Sequence, residues 1–161
     1  MTLVAVTGVV LYVVAMALVF GGTAALSFAT APTTFRTLPA VDAGRVFGKV
    51  LRVFDAMGWV ASMVAVVGAV VSMAAELTTP GIALLALAAS IHVTFVLLRR
   101  SVAPKMAALK PPETADEARR WDPAARARFD ALHRLYVRLY TSNLFLSLAA
   151  LVLAVLQLQR P

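Results

Sequence analysis

The sequence has no cysteine, which excludes disulfides, thiolate metal ligands and thiol catalysis. Charge is also sparse: Asp, Glu, Lys and Arg make up 14% of its 161 residues, against about 25% in soluble globular domains. Acidic groups are scarcest, eight in all, and in the apolar stretches they reach only the margins, at Asp55 and Glu76. Hydrolytic and nucleotide chemistry have nothing to stand on. The serines lack a base and a third orienting partner, and Gly21-Gly22 has no phosphate-loop context. No catalytic residue is expected, and the protein is read as a non-enzyme.

What is there is apolar. Hydrophobic residues reach 61% and mean hydropathy is +0.85. Four stretches, about Leu3 to Ala31, Met57 to Ala75, Gly81 to Leu98 and Leu139 to Gln157, are long enough for a hydrocarbon core that takes ~20 residues to cross. The expected fold is an all-α integral membrane protein, a single four-transmembrane-helix bundle over residues 1–161.

The formal charge of +7 invites a nucleic-acid reading, but its placement points elsewhere. Of the 15 Lys and Arg, 14 lie in Arg36 to Arg52 or Arg99 to Arg138, and only Arg160 lies beyond. This positive-inside asymmetry puts the first and third connections in the cytoplasm and both termini outside it. Anionic lipid headgroups are then the expected counter-charge of rows such as Arg45, Lys49 and Arg52. Ala29-Thr30-Ala31 mimics a signal-peptidase site, but without a basic n-region and after too long an apolar run, so the first helix is read as retained.

Punctuation sets the helix ends. Pro32 and Pro39 mark a helix end and a turn, Asp42 an N-cap, Thr79-Pro80 a cap and first turn, and Pro104 a kink or stop. KPPETADEARRW reads as a loop, and Asp122-Pro123 starts a last helix running to about Gln157. That helix is roughly 50 Å long at ~1.5 Å per residue. Helices two and four should therefore extend into the cytoplasm. Small residues recur along helix one (Gly8, Ala15, Gly22, Ala29) and helix two (Gly44, Gly48, Gly58, Ala65, Gly68), where they let membrane helices approach closely.

The chemistry concentrates at the mouth of helix four. Steps of three and four place His133, Tyr136, Tyr140, Asn143, Ser147, Ala150, Ala154 and Gln157 on one face, whose first four residues form a candidate polar vestibule. Asp55 and Arg138 sit at the same margin of their spans and form a candidate interhelical ion pair. Imidazole ligates haem and metals, so His92 is a candidate ligand, with haem the one cofactor considered. His92 lies about 10 Å inside Arg99, whereas His133 lies outside Arg138, so no cofactor and no metal is the expectation.

Phe20-Gly21-Gly22, Phe28, Ala31-Pro32, Phe35, Ala43-Gly44, Pro104-Lys105-Met106, Phe129, Leu132-His133 and Asn143-Leu144 together resemble the pattern of the transmembrane protein 205-like family. The resemblance implies a four-helix membrane protein of the bacterial inner membrane with a role in tolerance to metal compounds, and no known reaction. The functional expectation is an assembly or accessory subunit of a homo-oligomer or larger membrane complex. A transport or efflux component for a small solute or metal compound, and a haem-binding electron-transfer protein, are the alternatives. No nucleic-acid partner is expected.

Overall fold

The computed structural model describes residues 2–75, 77–109, 111–112 and 114–159. Glu76 and Arg160, which entered the carboxylate and charge arguments, lie outside the described residues. Among the described residues the chain forms helices and no strand. Four continuous helical stretches, Leu3–Thr37, Ala40–Ala75, Thr79–Ala108 and Pro123–Leu158, are long and apolar enough to cross a membrane. Large side chains such as Val14, Leu18, Val60, Val67, Val93 and Phe145 stand exposed around them, as they must where lipid is the solvent.

The prolines do less to the first and third stretches than expected. Helix α1 (Leu3–Ala25) passes through a π-helical turn, Leu26–Thr30, into α2 (Ala31–Thr37), so the rod continues past Pro32. The third stretch repeats the device: α4 (Thr79–Leu97), a π-helical turn at Leu98–Val102, then α5 (Ala103–Ala108) past Pro104. A proline lacks an N–H and its ring collides with the carbonyl four residues back. Widening the preceding turn relieves the collision, and the N–H groups of Ala31 and Ala103 bond five residues back, to the carbonyls of Leu26 and Leu98. Pro39, in contrast, does sit in the break before the next helix.

Two other termini differ by a residue or two from expectation. Helix α3 (Ala40–Ala75) starts directly after Pro39, and Asp42 lies inside its first turn, bonded to Arg45 at 2.8 Å. The cap of α4 is Thr78, whose hydroxyl accepts from the Gly81 N–H, with Pro80 in the first turn. The connection read as a loop contains a short helix, α6 (Ala115–Arg120), capped by Thr114. Asp122 caps α7 (Pro123–Leu158) as expected, accepting from the N–H groups of Ala124 and Ala125. Both α3 and α7 have 36 residues, or about 54 Å, against a hydrocarbon core of ~30 Å.

In cross-section α3 and α7 each pack on both α1 and α4, so they occupy opposite corners. Close approach of α1 and α3 depends on glycine. A Cβ on Gly8 would fall 2.6 Å from the Gly68 carbonyl oxygen and the Ser72 nitrogen, and one on Gly68 would fall 2.7 Å from the Gly8 oxygen. Here backbone meets backbone. At the other end of the same pair, the Phe54 ring fills the space above Gly22, and the Phe95 ring likewise covers Gly58.

Candidate functional site

At the end of the bundle that carries the basic residues, Asp55 on α3 turns into the interior and is only 4% exposed. From the opposite corner, Tyr136 donates its hydroxyl hydrogen to both carboxylate oxygens, at 2.8 and 2.7 Å, and Tyr140 donates to Oδ1. The two phenols are one helical turn apart and stack, with centroids 5.0 Å apart and planes 17° off parallel. Tyr140 is held in turn by Phe54 and Phe95, at 6.0 and 6.1 Å between ring centroids. Glycine makes this possible, since Gly22 and Gly58 leave the room in which those two rings lie.

Charge balance is unusual. Among the described residues the ion pairs are Arg45 with Asp42 and Arg119 with Asp116, both exposed, and Asp55 is in neither. The Arg99 guanidinium lies over the Trp59 ring, 5.4 Å from the centroid. Arg138 is exposed. The reason is angular: a helix turns ~100° per residue, so Arg138 points away when Tyr136 and Tyr140 face inward. The expected partner at Asp55 is thus replaced by two hydroxyls.

The face of α7 deduced from spacing is buried from Tyr136 through Tyr140, Asn143, Ser147, Ala150 and Ala154 to Gln157. His133 differs from the rest. It is exposed and stacks on Phe129, with centroids 6.2 Å apart and planes 4° off parallel. Phe129 in turn meets Trp121, whose indole donates to the Leu109 carbonyl at 3.3 Å, fastening the connection to α7. The vestibule residues therefore divide into an aromatic surface ladder at His133 and an interior polar group at Tyr136, Tyr140 and Asn143.

His92 has its own partners. Its Nδ1 lies 3.0 Å from the Ser62 hydroxyl, which also lies 3.0 Å from the Trp59 carbonyl. Both bonds are satisfied when Ser62 donates to the carbonyl and His92 donates from Nδ1. Asp55 is seven residues, ~10 Å, from Ser62 along α3, and His133 lies beyond the Tyr136 that reaches Asp55. The two imidazoles thus occupy different levels. Among the described residues no group of three or more His, Asp or Glu is placed to hold a metal ion. An open surface cleft lies at the connection around Pro112, Thr114, Arg120 and Trp121, separate from this interior.

Sequence spacing missed the aromatic packing of Phe54 and Phe95 and the Arg99–Trp59 contact. The available signal was a lone acid inside a small-residue stripe. Fold and site together define a multi-pass helical membrane protein with an internal carboxylate–tyrosine centre. The chain belongs to the family of the domain of unknown function DUF4149, whose model matches residues 14–113. That match takes in Asp55, Trp59, His92 and Arg99 and ends before the two tyrosines. No curated protein and no solved structure matches the chain.

Proposed function

We propose that this protein is a non-enzymatic transport or efflux component that takes up and releases a proton at Asp55, with its basic end in the cytoplasm of a bacterial inner membrane. The observation that carries the reading is a buried carboxylate bonded by two phenols and in no ion pair among the described residues. An ionisable group kept inside membrane helices at such cost marks proton or ion handling. The chemistry suits it. As a carboxylate, Asp55 accepts from both hydroxyls with charge-assisted bonds; as a carboxylic acid protonated on Oδ2 it loses the Tyr136 hydrogen at that oxygen and keeps only the weaker bonds of a neutral acceptor at Oδ1. Protonation thereby weakens the tie between α7 and α3, which is a way to couple a proton to the movement of a solute. Kinship with the transmembrane protein 205-like family remains part of this proposal and would make that solute a metal compound.

Infrared difference spectroscopy on pH jumps in lipid tests the reading. A carboxylic C=O band that appears with acid and is missing in Asp55→Asn is expected. An unchanged spectrum in that variant means that Asp55 never takes a proton and overturns the proposal. The assembly reading rests on a different observation: the space above Gly21 is open and the residue is exposed, which leaves room for the backbone of a second copy to approach at that point. Gly21→Leu should then reduce the particle mass in detergent. Haem ligation by both histidines has the least support, given their separation in depth.

A further inference from the structure

We propose that the side-chain amide of Asn143 is a water-binding site and forms the inner end of a hydrated path that begins at Asp55. The use of that water rests on the reading of Asp55 as a proton-exchanging group, whereas the hydration of Asn143 stands on its own geometry. Asn143 is 0% exposed, and both its Nδ2 and Oδ1 are buried without a hydrogen-bond partner among the described residues. An amide offers two donors and one acceptor oxygen, and buried groups of this kind almost always find partners. A cation would complement only Oδ1 and an anion only Nδ2. Water complements both, since it donates and accepts.

The neighbours on the same face define where the path runs. Tyr140, which holds Asp55, precedes Asn143 by one turn, ~4.5 Å along the helix. Ser147 follows by one turn, fully buried, and spends its hydrogen on the main-chain carbonyls of Asn143 and Leu144, at 2.7 and 3.1 Å. Its oxygen lone pairs stay available as a further partner for water. Ala150 and Ala154 come next, both 0% exposed, and offer nothing polar; they separate Asn143 from Gln157 at the far end of the face, whose Oε1 is likewise buried without a partner among the described residues. The path therefore enters from the Asp55 end and stops at Asn143 and Ser147, partway through the bundle.

Asn143 is the only asparagine in the chain, which makes the test direct. Protein labelled with [15N]asparagine and reconstituted in lipid gives one side-chain NH2 signal by solid-state NMR, assigned by its loss in Asn143→Leu. Magnetisation transfer from water to that signal, together with exchange of its protons in D2O, is expected. An amide that receives no transfer and stays protonated in D2O overturns the inference. A wet amide in a protein whose Asp55 shows no carboxylic band sustains this inference and sinks the functional reading; a dry amide beside a titrating Asp55 does the reverse.

Discussion

Asp55 has two hydrogen-bond donors on the helix at the opposite corner and no ion pair among the described residues, and at the residue scale this decides how the bundle responds to mutation. A hydrogen bond to a charged acceptor contributes about 1.5–3 kcal/mol. Tyr136→Phe and Tyr140→Phe should each lower stability in detergent by about that much. In either single variant the remaining hydroxyl still serves the carboxylate, so the double variant should cost more than the sum, by about 0.5 kcal/mol or more. A thermal-melt double-mutant cycle reads this, and strict additivity would mean that the two phenols do not share one acceptor. The sequence showed the acid and the tyrosine face separately. Pairing by charge alone joined Asp55 to Arg138, because both sit at one depth; only the rotation of α7 about its axis shows that Arg138 faces out and the phenols face in. Asn143 was legible as buried on the spacing of its face, but the lack of any partner for its amide depends on all four helices at once.

Among the elements, helix ends written in local chemistry were readable and the middles of the helices less so. Asp122-Pro123 begins α7 as its composition says, and Gly8, Gly22 and Gly68 mark the face on which α1 and α3 meet, whereas Gly58 faces Phe95 on α4 and Gly44 and Gly48 have open space. Reading Pro32 as a helix end and Pro104 as a kink or stop left out the way both are received here, in a widened turn that lets the helix continue. Both widened turns start at a buried leucine and lead into Ala-Pro, Leu26 to Pro32 and Leu98 to Pro104. Glycine gives the sharpest prediction at this scale. Gly8→Ala sets a methyl against the backbone of α3, which cannot swing aside, and overpacking of this kind costs about 1–3 kcal/mol. Gly21→Ala adds a methyl where nothing lies within 4 Å and should be neutral or stabilising, by up to ~1 kcal/mol from helix propensity. Melting temperatures of the two variants compared side by side check it; equal effects would contradict the Gly8–Gly68 crossing.

At the scale of the whole molecule, the partition of basic residues predicts sidedness. Because the chain has no cysteine, single cysteines at Ala108 and Leu158 report without background. In intact cells an impermeant thiol reagent should label the cysteine at Leu158 and spare that at Ala108, and the opposite pattern would invert the topology. The arrangement of the four corners was not legible from spacing, since it depends on which helices touch. It also has a mechanical consequence. Tyr12 on α1 donates to the Leu84 carbonyl on α4 at 3.1 Å, joining one diagonal of the square, and the tyrosines of α7 join the other through Asp55. The two ties sit at different depths, like struts in a braced frame. A frame with one strut released does not collapse; it racks about the strut that remains. If Asp55 takes up a proton as proposed, the tie at the basic end slackens and the Tyr12 tie is left as the pivot, so the basic end is where the frame would open.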